Sequence, residues 1–173
     1  MLYLKETNLE DAKKQYELIS AMPADENGFT NPDFGVSFDE YVNTVLPRNL
    51  KYSRGEDLPE GYVPQTEYFL WDGDEIVGLF RLRHYLNDFL REYHGHIGYG
   101  ISSKARGKGY GTKGLAMLLE IGKDVIDEDE FYLSVHKDNT ASLKVQQNNG
   151  ARIVREDDEN YYTRIAINQL KDI

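Results

Sequence analysis

The sequence predicts an α/β fold on a mixed sheet, and three observations carry that prediction. Segments of period two alternate with segments of period 3.6 along the 173 residues. Asp72-Gly73-Asp74 joins two alternating runs in the manner of a β-hairpin. From His96 to Val125 a strand runs into a glycine-rich loop and then an amphipathic helix. An apolar content of 40% with 12% aromatics suits a compact globule, and the length suits one domain, residues 1–173, with a sound core.

Taken in order, Leu2–Lys5 reads as a first strand, and Leu9–Ala21 as a helix with Ala12, Tyr16 and Ile19 on one side. Regularity falls away over residues 22–65, a stretch of prolines, glycines and acids, apart from a helix over Ser37–Leu50 capped by Ser37. Glu67–Trp71 and Glu75–His84 are the arms of the hairpin. Phe80, Leu82, Tyr85 and Leu86 are candidate core. His96–Ser102 alternates like a half-buried strand, and Thr112–Val125 presents Leu115, Leu118 and Leu119 as a buried stripe. Glu130–His136 is a strand, and Asn139 caps a short helix that Gly150 ends. Arg152–Arg155 and Tyr161–Ile167 complete about seven strands.

Arg106-Gly-Lys-Gly-Tyr-Gly111 is the segment richest in chemistry. Glycine lets the main chain approach a bulky anion, and a helix that starts there offers free N–H groups and the positive end of its dipole. No acid occurs from Tyr93 to Leu119, while Lys104, Arg106, Lys108 and Lys113 do, a local reversal in a chain of net charge −10. That charge argues against a nucleic-acid partner and mildly favours a cationic or neutral substrate. With no cysteine, neither a disulfide nor a catalytic thiol is available. No signal-peptide pattern opens the chain and no apolar run is long enough to span a bilayer, so the expectation is a cytoplasmic protein with no membrane partner.

The loop fails the Walker order, whereas Gly109-Tyr-Gly-Thr-Lys-Gly114 fits G-x-G-x-x-G literally. A Rossmann-type NAD(P)-dependent oxidoreductase is therefore the rival reading, although antiparallel strands precede the loop where a dinucleotide fold normally begins with it. Arg106-x-x-Gly109-x-Gly111, followed by Asn139-x-x-Ser142 and Asn149-Gly150-Ala151, resembles the GNAT superfamily of N-acetyltransferases, and the element order matches over most of the chain. Within it, Arg83-His84-Tyr85-Leu86-Asn87 and Gly95–Tyr99 are similar to a group of bacterial acetyltransferases.

The resemblance implies an acyl-CoA N-acyltransferase-like fold, with a mostly antiparallel sheet whose central strands splay. It implies acetyl-coenzyme A as cosubstrate and a small-molecule or peptide amine as acceptor, and a homodimer is compatible with it. Backbone N–H groups of Gly107, Lys108, Gly109, Tyr110, Gly111 and Thr112 would hold the pyrophosphate, with charge from Arg106 and Lys108. Pantetheine would pair near Ile101, the Tyr99 N–H would face the thioester oxygen, and Asn139 and Ser142 would touch the cofactor arm. Many members carry a general-acid Tyr where Gln146 stands here, so the proton donor is unassigned, and a non-catalytic acetyl-coenzyme A sensor stays open.

His96, on the strand that carries family bases, is the candidate general base, ahead of His84, His94 and His136. His94-x-His96 would also put two rings on one face of an unbroken strand, as a zinc site requires, but that leaves the glycine loop idle.

Overall fold

The computed structural model describes residues 1–172. The chain opens with β1 (Leu2–Glu6) and α1 (Ala12–Ala21). The irregular stretch holds a small hairpin, β2 (Asp25–Glu26) with β3 (Phe29–Thr30). A continuous helical run follows: α2 (Phe38–Glu40), a π-helical turn (Tyr41–Val45) and α3 (Leu46–Ser53). The Ser37 hydroxyl caps it by accepting the Glu40 N–H at 3.1 Å. The chain then forms β4 (Gln65–Asp72), β5 (Glu75–Arg83), α4 (Asp88–Tyr93), β6 (Ile97–Ile101), α5 (Tyr110–Gly122), β7 (Glu130–His136), α6 (Thr140–Asn148), β8 (Arg152–Glu156) and β9 (Asn160–Ala166).

Seven of these strands form two antiparallel sheets, in the orders β1-β4-β5-β6 and β7-β9-β8. Beside the loop, then, lies no parallel doubly wound sheet. Helices α1 and α3 cover one face, where Phe69, Trp71 and Leu79 pack with Ile19, Tyr41 and Leu46. On the opposite face α5 lays its Leu115, Leu118 and Leu119 stripe over Phe80, Leu82, Phe131 and Ile165. Burial on both sides explains why β4 reads as an apolar run rather than a clean alternation. At Gly114, α5 comes so near that a Cβ would lie 2.4 Å from the Phe80 ring. Of the expected core cluster, Phe80, Leu82 and Leu86 are buried, but Tyr85 is 49% exposed because the chain turns outward after β5.

Between the sheets, the one backbone bridge among the described residues lies just before β6. Gly95 bridges Leu133, and the His96 N–H donates to the Tyr132 carbonyl at 2.7 Å. Beyond that point the strands diverge, since β6 pairs with β5 alone and β7 with β9 alone. The expected splay is therefore present, pinned at its closed end by Gly95. This residue adopts φ +74°, and a Cβ there would sit 2.0 Å from the Tyr132 oxygen, so glycine alone permits the approach.

Candidate active site

Two cavities open into the splay. The smaller, about 520 Å³, lies between the end of β6, the glycine loop and the start of α6. Gly107 and Gly109 turn its rim with φ of +78° and +77°, and a Cβ on either would meet nothing within 4 Å. Room is thus left against the main chain for a bulky group. The first α-helical bond of α5 runs from Lys113 N–H to the Gly109 carbonyl at 3.1 Å, so the N–H groups of Tyr110, Gly111 and Thr112 are free of helical partners. No acid occupies that first turn. The arrangement fits a phosphate.

Ile101, Arg106, Gly107, Gly109, Tyr110, Gly111, Thr112, Asn139 and Ser142 all line this cavity. Lys108, expected to add charge, lines neither cavity. It lies toward Asp72, whose carboxyl is held below its usual range first by the Tyr110 hydroxyl at 2.6 Å, then by the N-terminus and Lys108. Arg106 has a partner that the sequence did not suggest, Glu26 on the small hairpin, at 2.6 Å.

The ladder of β6 sets which groups face the gap. Arg83 N–H donates to the His96 carbonyl and Ser102 N–H to the Val77 carbonyl. In an antiparallel register this turns residues 98 and 100 toward β5 and the N–H groups of Tyr99 and Ile101 away from it, into the splay. Gly98 and Gly100 carry no side chain on the α1 face, and Phe29 packs over them from the hairpin.

The larger cavity, about 920 Å³, runs along that face under β4 and β5 to α4. The two cavities meet where Phe29, Tyr99, Asn139 and Ser142 line both. Tyr99 stacks on Phe80, with centroids 5.4 Å apart and planes 18° apart, and its hydroxyl lies 2.7 Å from Ser142 Oγ. Burial pushes that hydroxyl up to about 12, against its bonds to Ser142 and Gln146. Asn139 caps α6 through the Ser142 N–H at 3.1 Å, which fixes the serine at the junction.

This geometry coincides with a match by sequence. Residues 54–152, more than half of the chain, fit the family model of the acetyltransferase (GNAT) domain. The chain belongs to the GNAT acetyltransferase family. As such it moves an acetyl group from acetyl-coenzyme A to an amine. No curated protein matches it by sequence. Among solved structures it is similar to the spermidine N-acetyltransferase of Vibrio cholerae in complex with CoA and spermine (TM-score 0.68, 16% identity, 99% of this chain and 98% of that one). It is also similar to the ribosomal L7/L12 alpha-N-protein acetyltransferase RimL in complex with coenzyme A (0.65, 18%, 96% and 94%). A third is the microcin C7 self-immunity acetyltransferase MccE with acetyl-CoA and AMP (0.65, 17%, 95% and 92%). At these identities the likeness is one of fold.

Within this acetyltransferase the histidine expected as base is misplaced for the role. His96 is 0% exposed and lines neither cavity. Its Nδ1 accepts the Tyr132 N–H at 2.9 Å, which leaves the proton on Nε2, and Nε2 donates to Glu128 at 3.0 Å. With its one lone pair engaged, the ring has none to offer an amine. The kink at Gly95 is the cause, because it breaks strand alternation and sends His94 to the larger cavity and His96 into the core. The pair therefore shares no face for a metal. His84 bonds Thr66 Oγ1 at 2.7 Å outside both cavities, and His136 lines the larger one. Gln146, which cannot serve as the proton donor, is a brace: it accepts from the Thr163 hydroxyl at 2.6 Å and donates to the Ser134 carbonyl at 3.5 Å.

Burial holds the His96 ring below its usual pKa, outweighing the attraction of Glu128; Arg91 and Arg83 push the same way as burial. The unfolded chain thus takes up the proton first as pH falls, so this contribution to stability is present above about pH 6.5 and is lost on acidification through the lower, folded value. His96→Gln is expected to cost about 1–3 kcal/mol of stability and to flatten part of the acidic slope of stability against pH. Denaturant melts at pH 5 to 8 check this, and the acidic limb of the pH–rate profile should survive.

Proposed function

We propose that the chain acetylates a primary amine by direct attack within a ternary complex, in the cytoplasm. The observation that supports this reading is the meeting of two cavities, so that donor and acceptor can be held together. Acetyl-coenzyme A supplies the activated acyl group. The Gly107–Thr112 main chain holds its pyrophosphate, and Arg106 adds charge by turning from Glu26. Ile101 on β6 pairs with the pantetheine arm, and Asn139 and Ser142 flank it.

The Tyr99 N–H, aimed into the splay, holds the carbonyl oxygen as charge grows on it. As the amine nitrogen bonds the carbonyl carbon and the C–S bond breaks, the amine gives its proton to water. Ser142 Oγ gives its own to the departing sulfur, the Tyr99 hydroxyl replaces it, and water in the cavity returns the amine's proton to Tyr99, so that no charge is left on the protein. A tyrosine held up to about 12 keeps its proton throughout the neutral range, so it is ready to give. With no cysteine in the chain, no acyl-thioester enzyme is on the route.

Tyr99→Phe should lower kcat about 10- to 100-fold with little change in KM for acetyl-coenzyme A, read by thiol release. Initial velocities against both substrates test the ternary complex. Intersecting lines support it, and parallel lines would sink it.

A further inference from the structure

The wall of the larger cavity is unevenly neutralised. Of its acids, Glu67 takes Arg81 at 2.9 Å and Asn49 at 3.0 Å. Asp157 accepts the Tyr162 hydroxyl at 2.6 Å and two backbone N–H groups, Asp25 accepts the Gly28 N–H at 3.0 Å, and Glu159 is exposed. Among its bases, Arg81 has Glu67, and Arg48 has both oxygens of Asp33 at 2.9 and 3.0 Å. Arg83 is the exception. Its guanidinium makes one hydrogen bond, to the Gly95 carbonyl at 2.9 Å, and among the described residues no carboxylate pairs with it.

A half-buried guanidinium without a counter-charge is costly unless something completes it. Burial pulls Arg83 down to about 10, helped by Arg81, and Tyr62 opposes this slightly. That value still leaves the group charged at neutral pH. One N–H direction is spent on Gly95, so the planar fork keeps donors for a bidentate anion. Gln65, its cross-strand partner, lines the cavity beside it. His94 feels its charge, its ring being held below the usual value first by burial and then by Arg83.

Resting on the acetyl-transfer reading above, we infer that the acceptor is an amine that also carries an anionic group, and that Arg83 binds this group in the larger cavity. Arg83 stands opposite His96, three residues from Tyr99 along β6, or about 10 Å. Gly98 leaves no side chain on the floor between them. Amine and anion are thus separated by several bonds, as in a short peptide with its terminal carboxylate or an aminoalkyl phosphate. A polycation would meet no buried acid without a partner here, since Asp25, Asp157 and Glu159 are exposed and Glu67 is paired with Arg81.

The test compares thiol release from saturating acetyl-coenzyme A with paired acceptors: a dipeptide against its C-terminal amide, aminoalkyl phosphates against the matching alcohols, and spermidine. The anionic member of at least one pair should exceed its partner at least 10-fold in kcat/KM, and whichever pair responds identifies the anion. In Arg83→Met the ratio should fall to near one through KM, and Arg83→Lys should restore part of it. Equal use of charged and uncharged partners, or a preference for spermidine, would overturn the inference. Should no amine react although acetyl-coenzyme A binds, the acetyl-transfer reading fails instead. Inorganic phosphate then decides the subsite: with coenzyme A saturating, it should raise the melting temperature of the wild type and leave Arg83→Met unmoved, whereas equal responses would refute the site.

Discussion

Gly109→Asp is expected to weaken acetyl-coenzyme A binding at least 100-fold, equivalent to about 2.7 kcal/mol. Bulk is not the reason, since a Cβ at 109 meets nothing within 4 Å. Two electrostatic effects act together. The new carboxylate stands at the cap of α5, where it repels a pyrophosphate with about 4 kcal/mol per charge pair at 4 Å before screening. It also competes for the N–H groups of the first turn, as an aspartate at a helix start ordinarily does. Gly109→Ala separates these effects from backbone strain. It keeps the unfavourable φ of +77°, at about 1–2 kcal/mol, and adds no charge. Titration calorimetry on both variants is the check: the alanine protein should still bind.

The second large effect is structural. Gly95→Ala is expected to cost at least 3 kcal/mol of folding stability, because its Cβ would lie 2.0 Å from the Tyr132 carbonyl oxygen and 2.9 Å from the Leu133 nitrogen, in a left-handed backbone. Both obstacles are main chain and neither can swing aside. Gly73→Ala, in the β4–β5 turn, is the comparison, since φ there is +62° but a Cβ meets nothing, and strain alone at about 1–2 kcal/mol is expected. Equal losses in chemical denaturation would mean that the close approach of the sheets at Gly95 is not what holds the splay shut at that end.

Much of this was legible in the sequence because it depends on local chemistry. The Asp72-Gly73-Asp74 turn, the caps at Ser37 and Asn139 and the glycine loop each follow from what a few neighbouring residues can do with their backbones. Adding to these the spacing from Arg106 to Ser142 led to the family and its donor.

What was not legible depends on distant partners. The Asp25–Thr30 hairpin is too short to show a period, yet it brings Phe29 over the glycines of β6 and Glu26 to Arg106. Helix α4, six residues capped by Asn87, is likewise too brief. The expected strand His96–Ser102 would make His96 a half-exposed strand histidine, whereas the strand begins at Ile97 and His96 lies in the core. Gly95 between the two histidines was the available signal, because a glycine with positive φ reverses which way the next ring points. Nor could composition reveal that Arg83, in a chain of net charge −10, would have no carboxylate beside it among the described residues.

Titration of the wild-type protein with acetyl-coenzyme A, with NADH and NADP⁺ in parallel, tests the central claim most directly. We expect micromolar binding of acetyl-coenzyme A at one site and no heat from either nicotinamide. No binding of acetyl-coenzyme A, or binding of a nicotinamide in its place, would contradict the assignment of the glycine loop as its phosphate cradle.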